Sequence, residues 1–229
     1  MIEYNDEFAR SRLRALQSVD EMVEGVVQRL SDNGILDDTY IFYTSDNSYH
    51  ISQHRMHPGK TCGYETDINI PLIVRGPGVG VGKVLDAVTS HTDLAPTIMK
   101  IAGQELRDDF DGLPIPFNEK EKGKTEHVNV EYWGRGIPEG KYGFDSGPGT
   151  LYVNNTYKAL RLIGESYNLY YSVWCTNETE LYDMTVSRRT LLVESLADEE
   201  SATPSNCTTS QCLNHSPRSI EYQGAKSRT

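Results

Sequence analysis

From Asp6 to Leu30 the apolar residues Phe8, Leu13, Leu16, Met22, Val23, Val26, Val27 and Leu30 recur at three- and four-residue steps. That spacing gathers them on one stripe of an amphipathic helix. Asn33-Gly34 closes the helix, because both residues accept the left-handed backbone of a C-cap. The run Thr39-Tyr-Ile-Phe-Tyr-Thr44 is β-prone without alternation, which predicts a strand covered on both faces, a central parallel one. A polar loop to Asn69 leads to Ile70-Pro-Leu-Ile-Val74, read as a second strand that ends at the turn Gly76-Pro77-Gly78. Residues 88–103 predict a second helix, capped by Thr92 or Asp93, with Leu94, Ile98 and Ile101 facing inward and Pro96 tolerated in the first turn. Helix, strand, loop, strand, helix is an α/β pattern.

The pattern changes after about residue 112. His127–Trp133, Thr150–Val153, Tyr157–Ile163 and Asn168–Trp174 read as short strands, the middle two joined by the hairpin dipeptide Asn154-Asn155. They predict a small antiparallel subdomain over 113–185, packed on an α/β part over 1–112. From Val186 to Thr229 Tyr222 is the only aromatic residue, while Ser, Thr, Glu and Arg accumulate. Such a segment buries too little apolar surface to offset chain entropy, so a disordered tail is expected over 186–229.

Charge narrows the function classes. With 22 Lys+Arg against 33 Asp+Glu the formal net charge is -11, which argues against sequence-independent nucleic-acid binding, since polyphosphate attraction requires a basic surface. No window approaches the eighteen or so consecutive apolar residues of a membrane span, and the opening residues lack the basic and apolar regions of a signal peptide. Cys62, Cys175, Cys207 and Cys212 allow three pairings if all are oxidised, and none has a Cys-x-x-Cys spacing. Glycosylation tripeptides begin at Asn154, Asn177, Asn206 and Asn214, a feature that suits the secretory pathway.

The segment richest in chemistry is Thr44-Ser-Asp-Asn-Ser-Tyr-His-Ile-Ser-Gln-His-Arg-Met-His-Pro-Gly-Lys60. In open α/β sheets ligands bind beyond the carboxyl ends of strands, where Asp46 and Asn47 stand. A carboxylate beside an amide carbonyl offers hard oxygen ligands for calcium or magnesium, although the same dipeptide also makes ordinary turns. His50, His54 and His57 with Lys60 are consistent with a metal site, an anion pocket or solvated polar residues. Lys60, a compact cation, suits a tetrahedral oxyanion.

Taken together, Tyr40-Ile-Phe-Tyr-Thr-Ser-Asp-Asn-Ser-Tyr-His-x-x-Gln-His54, Lys60, Tyr64-Glu65-x-Asp67-Ile-x-Ile-Pro-Leu-Ile-Val-Arg-Gly-Pro-Gly78, Thr92-Asp-Leu-Ala-Pro-Thr97 and Glu180-Leu-Tyr-Asp-Met184 resemble the C-terminal portion of a type I sulfatase. The resemblance is to the arylsulfatase and N-acetylglucosamine-6-sulfatase branch. It implies part of an alkaline-phosphatase-like α/β core with a small C-terminal antiparallel sheet. It also implies hydrolysis of sulfate esters with bound calcium, on a small molecule or a sulfated glycan, in a secreted, lysosomal or vacuolar protein. Asp46 and Asn47 then map onto calcium ligands and Lys60, thirteen residues after the asparagine, onto a catalytic, sulfate-binding lysine. His50 and His54 map onto pocket positions, His50 with a catalytic or substrate-binding part, and Asn154 and Asn177 onto glycosylation sites.

Departures from the family pattern set further expectations. Ser48 and Ser52 stand where glycine is usual, straining the loop by about 1 kcal/mol if the backbone there is left-handed. No Cys or Ser begins the Cys/Ser-x-Pro-x-Arg motif that yields the formylglycine nucleophile, and the paired aspartates that complete the calcium site are also absent. The calcium site is therefore incomplete in this sequence, and the chain alone is expected to be inactive or a binding remnant. A phosphatase or phosphonate hydrolase of the same superfamily is the alternative enzyme reading. With so much of the core missing from the sequence, the first sheet is expected to show bare apolar faces.

Overall fold

The computed structural model describes residues 2–85, 87–117, 126–137, 139 and 152–185. Its first element, α1 (Ile2–Asp32), follows the apolar stripe and extends past it at both ends. It stops where the sequence predicts: Gly34 has φ +67°, Asn33 Nδ2 donates to Arg29 O at 2.7 Å, and the Ile35 N–H donates to Leu30 O at 3.1 Å. No residue of α1 is buried, and Leu13 and Met22 are 65% and 61% exposed. The helix meets the site loop through Phe8, whose ring stacks on Tyr49 at 6.0 Å.

Strand β1 (Ile41–Thr44) pairs with β2 (Leu72–Arg75) in a two-stranded antiparallel sheet, Ile41 opposite Arg75 and Thr44 opposite Leu72. This corrects the expectation of a parallel strand covered on both faces. An apolar run reports coverage and says nothing of direction. Direction is set by the connection, and residues 45–71 return alongside β1 without the long crossover helix a parallel pair needs. As expected, apolar surface on this sheet is bare: Ile73 is 62% exposed and Tyr43 36%.

A 3₁₀ turn (His91–Asp93) leads into α3 (Leu94–Ile101), the short α2 being Glu65–Ile68. The N-cap of α3 is Asp93, one of the two expected residues, though its side chain caps the turn before it instead: in the capping box at Ser90, Asp93 Oδ2 accepts the Ser90 N–H at 2.8 Å. Ile98 is 55% exposed instead of facing inward. Pro96 and Thr97 take the buried positions, because Thr97 Oγ1 accepts the Ile115 N–H at 2.8 Å and fixes that side of the helix against the following segment.

Beyond it, β3 (His127–Tyr132), β4 (Tyr157–Ile163), β5 (Asn168–Trp174) and β6 (Thr179–Asp183) form an antiparallel meander in that order. Alternation along β4 buries Tyr157, Ala159 and Arg161, and along β5 Tyr170 and Ser172, the period of a sheet with one covered face. Two expectations need correcting. Tyr152 makes an isolated bridge to Gly136 instead of a hairpin with β4, so Asn154-Asn155 is a lead-in to β4. The Glu180–Met184 motif supplies most of a fourth strand. Thr150, Leu151 and the expected tail over 186–229 lie outside the described residues.

The core, Tyr157, Ala159 and Tyr170, is completed by Tyr64 and Ile68 from the α2 segment. Two polar contacts hold that segment on the sheet. Tyr64 OH donates to Glu180 Oε1 at 2.9 Å, and the buried guanidinium of Arg161 pairs with Glu65. Arg161 Nη1 also donates to Leu162 O and Leu169 O at 3.0 and 3.1 Å, as a buried charge requires.

Candidate active-site cleft

The loop after β1 carries the acidic pair. Asp46 Oδ1 accepts the Asn47 N–H at 3.0 Å, and Asn47 Nδ2 donates to Ser48 O at 2.6 Å. Turning the amide nitrogen onto the backbone leaves Asn47 Oδ1 as its outward acceptor, beside an exposed carboxylate. Two hard oxygen donors suit calcium in kind, but calcium takes six to eight. In number these residues make only part of a site.

The loop then doubles back on itself. His50 and Gly59 exchange both backbone hydrogen bonds, at 2.9 and 3.1 Å. Beneath this bridge lies a buried knot: Asp67 Oδ1 accepts from His50 Nδ1 at 2.7 Å, while its Oδ2 accepts from Cys62 N at 3.0 Å and from Cys62 Sγ at 2.9 Å. His50, Asp67 and Cys62 are 5%, 4% and 7% exposed. Burial, reinforced by the hydrogen bond to the Asp67 carboxylate, pushes the Cys62 thiol far up, so it stays protonated and unreactive at neutral pH. Lys60 sits between Gly59 and Cys62, both tied down, and this fixes its backbone.

Asp46, Asn47 and Lys60 line one cleft of about 530 Å³, together with Thr44, His91 and Arg161. Lys60 is exposed and makes no ion pair among the described residues, so its charge is open to an anion. His91 Nε2 stands 3.5 Å from Thr44 Oγ1. The other two predicted positions lie elsewhere. His54 stacks on Tyr64 at 4.4 Å and lines a second cavity of about 420 Å³ with Tyr170 and Tyr182. His50 is the buried anchor of the knot and lines neither cavity. The three loop histidines do not converge: the one group of metal-ligating type among the described residues is His50, Cys62 and Asp67. Asn154 and Asn177 are exposed.

Of the two serines in usual glycine positions, Ser52 is left-handed at φ +63° and Ser48 is not. Relief of about 1–2 kcal/mol of backbone strain against about 0.5–1 kcal/mol of added unfolded-state entropy predicts that Ser52→Gly stabilises the chain by about 0.5 kcal/mol. A denaturant midpoint that falls in this variant would contradict the assignment.

Residue-by-residue reading misses Cys62 and His91. Cys62 and Asp67 are five apart and His50 a further twelve upstream, a spacing with no motif value. His91 was legible in principle, since Ser90-x-x-Asp93 is a capping box that fixes the histidine inside it.

Comparison with known proteins bears on the family. Residues 2–104 match the sequence profile of the family described as Sulfatase. The chain is 47% identical over 184 residues to Sulfatase ppz1 of Metarhizium majus, covering 80% of this chain and 38% of that protein. To the arylsulfatase of Chlamydomonas reinhardtii it is 37% identical, covering 79% and 30%, and to the bovine N-acetylglucosamine-6-sulfatase 37%, covering 80% and 36%. The chain thus spans about a third of the length of these relatives. Among solved structures, BT4656 in complex with its substrate D-glucosamine-2-N,6-O-disulfate superposes with TM-score 0.62 and 26% identity, over 76% of this chain and 33% of that one. The phosphonate monoester hydrolase of Silicibacter pomeroyi gives 0.58 and 26%, over 74% and 33%. With its motifs, its fold and these relatives in accord, the chain belongs to the sulfatase family.

Proposed function

We propose that this chain carries the sulfate-binding wall and part of the calcium site of a sulfate-ester hydrolase, and that alone it does not turn over. The observation that carries the reading is the meeting of Asp46, Asn47 and Lys60 on one cleft. Lys60 binds a sulfate oxygen and offsets negative charge on the ester as the alcohol departs, an electrostatic role that is largest in a partly desolvated cleft. Asp46 and Asn47 supply two oxygens to calcium, which when bound offsets charge on the sulfate group. Arg161 also borders the cleft, its charge offset there by Glu65. The nucleophile has no counterpart in this sequence, and removal of a covalent nucleophile normally removes most of the rate. Sulfated glucosamines are the favoured substrate class, because a relative and a structural neighbour are named for acting on or binding them. An extracellular or secretory location is favoured by the sequons and by 42% identity, over 45% of this chain, to an extracellular sulfatase SULF-1 homolog of Drosophila melanogaster. No helix among the described residues is long and apolar enough to cross a membrane.

Two measurements test this. Purified chain with an aryl sulfate, with and without calcium, should show no hydrolysis above background; calcium-dependent release of the phenol would refute the inactivity. In ¹⁵N-labelled chain, inorganic sulfate should shift the resonances around Lys60, and calcium those of Asp46 and Asn47, with the sulfate response lost in Lys60→Ala. Sulfate shifts confined to other regions would overturn the site. The likeness to a phosphonate monoester hydrolase favours one second reading, in which a methylphosphonate monoester outcompetes sulfate at Lys60.

A further inference from the structure

The knot beneath the His50–Gly59 bridge brings four donor atoms together: His50 Nδ1, Cys62 Sγ and both oxygens of Asp67. Each residue offers an atom within 4.8 Å of the others, and all three residues are buried. We propose that His50, Cys62 and Asp67 form a closed binding site for a borderline divalent metal, zinc by its donor set, at the edge of the cleft.

The edges of the group have the right scale. His50 Nδ1 to Asp67 Oδ1 is 2.7 Å, Cys62 Sγ to Asp67 Oδ2 2.9 Å, and Cys62 Sγ to His50 Nδ1 3.9 Å. A tetrahedral zinc sets the nitrogen–sulfur edge at roughly 3.5 Å and the nitrogen–oxygen and sulfur–oxygen edges at roughly 3.4 and 3.6 Å, so on binding the first closes by a few tenths of an ångström and the two hydrogen-bonded edges open by about 0.7 Å as their hydrogen bonds give way to metal bonds. A bidentate Asp67 fills the third and fourth positions without water, as a buried structural site requires. One thiolate and one imidazole select a borderline ion over calcium, whose ligands are oxygens.

Charge gives a second argument. Asp67 is buried with no Lys or Arg ion pair among the described residues; His50 is the one basic side chain beside it. A buried carboxylate with only an imidazole and a thiol beside it favours a cation, because buried charge is costly without a full partner. When M²⁺ binds, Cys62 releases its proton to solvent and His50 coordinates through Nδ1 with a single ring proton, on Nε2. Thiolate, carboxylate and M²⁺ then sum to zero. Cys62 and Asp67 also border the cleft, which gives the ion a path in.

The test uses the whole chain, stripped with a chelator and titrated with Co²⁺. One equivalent should produce a thiolate-to-cobalt band in the near ultraviolet and intense tetrahedral bands in the visible. Zinc should abolish both, and a large excess of calcium neither. Cys62→Ser should lose the near-ultraviolet band, whereas Cys175→Ser and the double variant Cys207→Ser/Cys212→Ser should keep it. X-ray absorption of the zinc-loaded wild type should show one sulfur among otherwise nitrogen and oxygen neighbours, a reading that stands even where Cys62→Ser does not fold. Absence of a stoichiometric band, its survival in folded Cys62→Ser, or its displacement by calcium would overturn the proposal. None of these results depends on sulfate binding at Lys60.

Discussion

Between about pH 10 and 11 the chain is expected to unfold cooperatively, with Cys62, Tyr157 and Tyr170 as the cause. Burial raises the pKa of all three, from ordinary values of 9.0 for the thiol and 10.0 for the phenols, and the Asp67 carboxylate adds to the rise at Cys62. The sign follows from proton counting. Past its ordinary pKa each group loses its proton in the unfolded chain and keeps it in the folded one, so stability falls as pH rises and is fully present below pH 9. Each such group costs about 1.4 kcal/mol per pH unit. At pH 11 the thiol has passed two units and each tyrosine one, a combined loss of about 5.5 kcal/mol, which is comparable to the whole stability of many domains. Circular dichroism against pH checks this, and a folded signal that persists unchanged to pH 11.5 would show that these groups are not held protonated.

Replacing Asp67 should have the next largest effect. Asp67→Ala removes the acceptor of His50 Nδ1, Cys62 N and Cys62 Sγ together and strands these donors in a buried site. Each buried donor left unmade costs about 1–3 kcal/mol, with the thiol at the low end. A loss of about 3–5 kcal/mol is expected, or a fall of about 10 °C or more in melting temperature for a chain of this size. Asp67→Asn keeps an acceptor oxygen but sets an NH₂ against a donor, so its loss should be roughly half as large. Melting curves of metal-free protein decide this, and an unchanged midpoint in Asp67→Ala would mean that the knot contributes nothing to the fold.

How much of this was legible in the sequence depends on the range of the interaction. The α1 stripe, its Asn33-Gly34 stop and the alternating strands β4 and β5 are local patterns with a fixed period, and they appear where the sequence places them. The direction of β1 was not legible, because its apolar run carries no information about the connection that follows. The exchange of Ile98 for Thr97 as the buried position of α3 depends on the Ile115 N–H, eighteen residues away. The site divides in the same way. Asp46, Asn47 and Lys60 share a loop and line one cleft. The loop histidines part company because His50 is captured by a carboxylate seventeen residues downstream and His54 by the Tyr64 ring, neither of which has a sequence signature.

The order β3-β4-β5-β6 has a consequence for the folding reaction. Every pairing in the meander joins strands adjacent in the chain, two of them through tight reversals at Gly164–Tyr167 and Cys175–Glu178. Hairpins close in microseconds, whereas contacts between residues far apart in sequence wait on the closure of long loops. Tyr64 reaches Glu180 across 116 residues and Glu65 reaches Arg161 across 96, so the loop that carries Lys60 can dock only on a sheet already formed. The meander is therefore the template and the cleft the late product. In pulsed hydrogen exchange during refolding, amides of β4 and β5 should gain protection before those of His50 and Cys62, and the reverse order would rule this out. A mutation in β5, distant from any sulfate, then delays the appearance of the cleft without touching its chemistry.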